Sequence, residues 1–318
     1  VYRLLALAAV LLLCSTPATR AARLVVACKD GRLVQVFDGN TYGKQTEVKV
    51  GGEPHEVVIS PDGKFAYVAD FEGHQNAVSE IDLDGGSVTR IIDVKPSFRP
   101  HGLALTRDGS TLYATCEASK VVAEVDVAAG KVRRTLPLNE LQSHTLRLSP
   151  DETRIFVAST DAGNIAMIDL AAADVTRSYL VGKAPEGLDM LEDGSELWAA
   201  SRVSQTVTII DLKTRKRVHS MTCEGNPIRL RFTPDQKYAL VTCALSDELV
   251  YFDVAKRVEV ARVTIGRFPV AMAFSGDGAR VFVTQMMGDN MSVVDVAARK
   301  VLTTIKTGKG PEGVAWHE

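Results

Sequence analysis

Three of the six histidines in the chain, His55, His101 and His144, follow one another at intervals of 46 and 43 residues. Each stands one place after a strand-opening position, Pro54, Pro100 or Ser143. At the same spacing the slot continues as Glu186, Ile228, Val270 and Glu312. Imidazole nitrogens with carboxylate neighbours are what a divalent transition metal takes as ligands, which makes His55, His101 and His144 candidate metal ligands. The same groups can serve as an acid–base pair on a bound organic ligand, with Glu186 and Glu312 at the ends of the arc. A third reading is that duplication copied one structural histidine, each copy bonding a neighbouring backbone. Such spacings are no metal motif in themselves, so whatever joins these residues must be the repeat that carries them.

A second set lies two or three residues further along the same segments: Val58, Ala104, Arg147, Asp189, Arg231, Ala273 and Ala315. Its three consecutive charges suit an Asp held between two guanidiniums, either as a structural ion network or as a positive wall that draws an anionic ligand, aided by Arg229 at the mouth. The loops after the second strands carry His74, Glu117, Asp161, Arg202, Asp247 and Asp289. These read as ordinary surface, with His74 the one to watch beside His55. His219 and His317 fall outside the ring. The repeated Asp38, Asp82, Asp126, Asp169, Asp211, Asp253 and Asp295 each close a strand before a turn, and they are read as structural. No nucleophile elbow, phosphate-cradling glycine loop or two-carboxylate glycosidase pattern is found.

The elements that must position these groups follow from the period. A Pro-led apolar run, a turn and a second apolar run open at Pro54, Pro100, Pro185, Pro227, Pro269 and Pro311, with Ser143 in the third slot. Asp-Gly and related pairs such as Asp62-Gly63 and Asp277-Gly278 supply the tight turns. Runs such as Phe65 to Val68 are rich in residues that suit a pleated surface, and helical periodicity is missing. Seven copies of about 42 residues, each with four short strands, predict an all-β chain folded as a seven-bladed β-propeller of four-stranded antiparallel blades. Residues 22–50 hold three strands without an opening one, and 308–318 hold an opening strand alone. One C-terminal plus three N-terminal strands thus complete the seventh blade and remove the exposed sheet edges.

A formal charge of −2 gives no reason to expect nucleic acid as a partner. Arg3, the apolar stretch Leu4 to Cys14 and the small residues up to Ala21 read as a signal peptide over 1–21, too short to span a bilayer. The expected product is a monomeric propeller over 22–318, exported to the periplasm or beyond, with no transmembrane segment. Export leaves Cys28, Cys116, Cys223 and Cys243 in an oxidising compartment. Cys223 precedes the first strand of the blade whose second strand ends at Cys243, so these two are a candidate disulfide. Otherwise all four are small buried hydrophobes.

The openings PHEVVISPDGKFAYVAD and PEGLDMLEDGSELWAAS, with their IDL and VDV closings, resemble the YVTN-repeat family of seven-bladed β-propellers, including YncE-like exported proteins. The resemblance covers essentially all of residues 22–318. It implies binding scaffolds, surface proteins, partners of quinoprotein pathways and relatives of propellers that host haem or copper. The haem attachment pattern C-x-x-C-H is absent, which excludes a haem c attached through that motif, and the histidine density of copper-cluster propellers is missing. The leading expectation is a ligand-binding or protein-interaction module, using its axial channel face toward a small molecule or an envelope protein. The alternative is a metal-dependent oxidoreductase or lyase working through the His/Glu arc.

Overall fold

The computed structural model describes residues 22–71, 76–138, 140 and 142–318. The expected signal peptide and His74 lie outside the described residues. Among the described residues there are 28 strands, β1 to β28 in chain order, and no helix. They form seven four-stranded antiparallel sheets, the seven-bladed propeller expected from the repeat. The first strand of each blade begins at the repeat's opening residue: β4 (Pro54–Ile59), β8 (Pro100–Leu105), β12 (Ser143–Leu148), β16 (Pro185–Met190), β20 (Pro227–Phe232), β24 (Pro269–Phe274) and β28 (Pro311–His317). Closure also follows the expected division. β28 pairs with β1 (Arg23–Cys28), Val314 opposite Val26, and β2 (Leu33–Asp38) and β3 (Lys44–Lys49) complete that sheet.

Burial explains which residues form which strand. The second strand of a blade lies between neighbouring blades, so both its faces are covered and it reads as a nearly continuous apolar run; β9 (Thr111–Cys116) is buried throughout. The outermost strand faces water and carries charge, as in β27 (Lys300–Lys306). Core contacts run between blades. Trp198 packs edge-on against Phe232 of the next blade at 5.4 Å between ring centroids, within one cluster of buried residues.

The turns are held by their own side chains. Ser60 Oγ donates to Asp62 Oδ1 at 2.7 Å, and Gly63 takes the left-handed conformation at φ 67° that a side chain would resist. The strand-closing Asp series has the structural role expected. Asp211 Oδ1 accepts the Thr214 N–H at 2.7 Å, and Asp295 Oδ1 accepts that of Ala298 at the same distance. No helix among the described residues is long and apolar enough to cross a membrane.

One irregularity recurs in all seven first strands. Between Pro54, opposite Asp70, and Val57, opposite Val68, three steps on β4 match two on its partner. The same extra residue occurs in β8, β12, β16, β20, β24 and β28. A bulge re-aims the side chains at its position. Here it falls on the residues after the opening Pro or Ser, the slot that holds the three histidines.

Candidate functional site at the axial mouth

The backbone groups released by the bulge are bonded from the second strands. Thr115 Oγ1 accepts the Gly102 N–H at 2.8 Å and donates to the His144 carbonyl of the next blade at 2.6 Å. Thr242 does the same between Arg229 and Val270, and Thr284 between Ala271 and Glu312. Glycine after the slot permits close approach. A Cβ at Gly102 would lie 2.5 Å from the His144 carbonyl oxygen, and one at Gly313 the same distance from that of His55. Neighbouring blades therefore touch through their backbones, and the side chains one residue earlier meet at the axis.

The three histidines form a stack. His55 and His101 have ring centroids 3.8 Å apart, His101 and His144 again 3.8 Å, while His55 and His144 are 6.1 Å apart and nearly perpendicular. Phe71 covers the His55–His101 end at 5.1 and 5.2 Å. Two imidazolium charges about 3.8 Å apart would repel by roughly 4 kcal/mol at an effective dielectric near 20. Burial first, and then neighbouring positive groups, holds both His101 and His144 well below the usual histidine range, so these rings are neutral at neutral pH. The Nδ1 atoms of all three are buried and have no hydrogen-bond partner among the described residues.

Carboxylates and cations surround the stack. His55 Nε2 lies 3.0 Å from Glu312 Oε2, and Lys29 is 3.8 Å from that oxygen. Burial pushes the Glu312 carboxyl up, but the neighbouring His55, with Lys29 and Arg229, outweighs it and holds the group below the usual range. At the other end Glu186 pairs with Arg202. Burial prevails there, and the Glu186 carboxyl is raised despite the Arg202 charge. The sequence placed Arg202 and Glu117 among ordinary surface loops. The structure instead buries Glu117, 3.4 Å from Arg99, and turns Arg202 onto the arc. Asp247 and Asp289 likewise accept backbone N–H groups of Phe268 and Gly310 at 2.9 Å each.

Opposite the polar arc stand Ile228 and Val270, backed by Phe268, Ala244 and Met286. The mouth is thus a two-sided pocket of about 220 Å³, lined by Lys29, His55, His144, Glu186, Arg202, Arg229 and Glu312 on one side and the apolar group on the other.

Arg229 is among the residues that line this mouth. It is buried, and its guanidinium crosses the channel to pair with Glu56 of a distant blade. It is committed to a carboxylate rather than freely presented at the mouth, because a buried guanidinium requires such a partner. Glu56 follows His55 directly, so the bulge sends two consecutive residues to one site. His55, Glu56 and His101 each offer one ligand atom, all within 4.8 Å of one another. His144 is outside this trio.

Deeper still, Asp189 joins the two arginines as anticipated, 3.1 Å from Arg147 Nε and 3.6 Å from Arg231 Nε, and accepts the Phe232 N–H at 3.0 Å. Burial raises its carboxyl even against Arg147. The same three residues line a wider cavity of about 510 Å³ at the other end of the channel, with Trp316. Strand geometry does bring Cys223 and Cys243 together, but as free thiols with sulfurs 3.5 Å apart, whereas a bond needs about 2.05 Å. His219 is exposed on β19 (Lys216–Thr222), and His317 contacts the Pro61 carbonyl at 3.0 Å, both away from the ring.

The family model described as "Lactonase, 7-bladed beta-propeller" matches residues 25–223, more than half of the chain. The chain is similar to solved structures at low identity. It overlays a chain of the hydrazine synthase of Kuenenia stuttgartiensis with a TM-score of 0.72 and 20% identity, covering 82% of this chain and 89% of that one. It also overlays a functionally unknown protein from Desulfotomaculum acetoxidans DSM 771 with a TM-score of 0.78 and 13% identity, covering 92% and 98%. At these identities the likeness concerns the fold alone. No curated protein matches.

Proposed function

This chain belongs to the lactonase, seven-bladed β-propeller family, and from that footing we propose that it is a binding module taking a small polar ligand at its axial mouth. The observation that carries the reading is the two-sided pocket of about 220 Å³. Lys29 and Arg202 with the histidines offer donors to an oxygen-rich edge, and Ile228, Phe268, Val270 and Met286 offer an apolar wall. Its size is below the usual range for drug-sized ligands, which favours a compact molecule. The leader-like run from Arg3 to Ala21 supports work outside the cytoplasm, which compartment fractionation tests.

A hydrolytic reading has one specific support. His144 lines the pocket with an unpartnered Nδ1, a nitrogen that can take a proton from water attacking a lactone carbonyl. The Arg202 guanidinium stands beside the pocket for the oxygen that gains charge, and the ring-opened hydroxy acid would carry a carboxylate that matches it. The test is calorimetric titration with a panel of small lactones and their hydroxy acids, alongside assay of ring opening. Binding that falls at least tenfold in Arg202→Ala, with no turnover, supports the module. Turnover lost in His144→Ala supports the hydrolase. Absence of binding, or binding indifferent to both variants, rejects the mouth as the site.

A further inference from the structure

We propose that His55 Nδ1, a carboxylate oxygen of Glu56 and an imidazole nitrogen of His101 together hold one divalent transition metal ion at the axial mouth. The assignment builds on the reading of that mouth as the working face. It begins with the tautomer of His55. Nε2 lies 3.0 Å from Glu312 Oε2, and a proton kept on that nitrogen beside the carboxylate leaves the lone pair on Nδ1. That atom is buried, has no hydrogen-bond partner and lies 3.9 Å from Glu56 Oε1. A carboxylate behind a ligating imidazole is the usual means of fixing its ring and tautomer.

His101 supplies the second nitrogen. Its Nδ1 is also buried without a partner. A histidine retained only for structure would bond a backbone group through that atom, since each orphaned buried polar atom costs about 1–3 kcal/mol. An ion would satisfy both imidazoles at once. Glu56 uses Oε1 toward Arg229, which leaves Oε2 available. The three ligand atoms lie within 4.8 Å of one another. With bonds of about 2.1 Å, two ligands of one ion are at most about 4.2 Å apart, so closure asks for about 0.6 Å of side-chain movement. Two nitrogens and one carboxylate suit zinc, iron(II), cobalt or copper, and they disfavour the all-oxygen cations calcium and magnesium. Glu56 and Glu312 offset the charge of the ion, and His55 is the metal ligand that also lines the pocket where the small molecule is placed.

The experiment titrates chelator-treated full-length protein with Co(II), followed by visible absorption, and with Zn(II) by calorimetric competition. One ion per chain is expected, with the intense bands of a low-coordinate cobalt site. His101→Ala and Glu56→Gln should each weaken binding at least tenfold. Glu56→Asp, which keeps the charge opposite Arg229 while withdrawing the oxygen, guards against loss of fold and should weaken it too. Glu312→Gln, a positioning change, should shift the cobalt bands while one ion still binds. His144→Ala and the exposed His219→Ala should retain the ion. No binding, equal binding in folded His101→Ala and Glu56→Asp proteins, or loss in His144→Ala with retention in Glu56→Asp, overturns the assignment. Lactone or hydroxy-acid binding by metal-free protein is scored separately: its persistence without metal affinity rejects the ion and leaves the mouth as a binding site.

Discussion

Asp70 closes the second strand of the blade that carries His55, and it is 1% exposed. Ser79 Oγ donates to its Oδ2 at 2.6 Å, while Oδ1 is buried with no partner. Burial pushes the carboxyl up from 3.8 to about 6, against the lowering effect of Ser79. Between those two values the folded protein binds more protons than the unfolded chain, so stability falls as pH rises through that window and the loss is complete above it. At about 1.36 kcal/mol per unit, the shift corresponds to about 3 kcal/mol, of which about 1.4 kcal/mol falls between pH 5 and pH 8. The assay is urea unfolding from pH 5 to pH 8 of the wild type and Asp70→Ser, since Ser159 and Ser201 occupy the equivalent position in other blades. Other titrating groups are common to both proteins, so the difference between the curves isolates Asp70. The variant should gain about 1.4 kcal/mol relative to wild type across that range. Parallel curves would refute the argument that this carboxylate is forced to ionise in a site with no donor for its second oxygen.

Further predictions concern the contacts that assemble the mouth. Gly102→Ala should cost roughly 1–3 kcal/mol in urea unfolding, because its Cβ would meet the His144 carbonyl at 2.5 Å, whereas Gly43→Ala, whose Cβ would meet Thr41 Oγ1 at an ordinary 3.6 Å, should not suffer such a clash. Arg229→Met should destabilise by about 2–4 kcal/mol by leaving the half-buried Glu56 without its cation, and adding Glu56→Gln should restore most of that loss in a double-mutant cycle. Mild oxidation should join Cys223 to Cys243, read as a two-dalton loss by mass spectrometry, and should stabilise by about 3 kcal/mol; Cys223→Ser should abolish both effects.

The fold was legible because each blade repeats its own punctuation. Pro or Ser at the start of the first strand, Asp-Gly at the turn and Asp at the end of the third strand recur in register, and the two termini supply complementary parts of one sheet. The convergence of His55, His101, His144, Glu186 and Glu312 followed from that register alone. Other parts of the site depend on physics that no local pattern records. The bulge is a property of pairing, visible only when Pro54 is set against Asp70 and Val57 against Val68. Arg229 and Glu56 are 173 positions apart, and only ring closure makes them partners. Arg202 sits in a loop that resembles any polar turn until Glu186 is seen beneath it. One signal was available and unused: glycine follows the slot residue in His101-Gly102, Glu186-Gly187 and Glu312-Gly313. A side chain at any of these would strike the neighbouring blade's backbone, so that glycine marks where two blades must touch.

Because β28 supplies both the last wall of the ring and Glu312, completion of the fold and completion of the mouth are one event in time. A ribosome delivers residues 311–317 after the other 27 strands have emerged, and until then β1 lacks its inner neighbour and His55 lacks the Glu312 carboxylate 3.0 Å from its Nε2. A chain that lacks this strand therefore has six finished blades at most, a mouth without Glu312 and a β1 edge unpaired on its inner side.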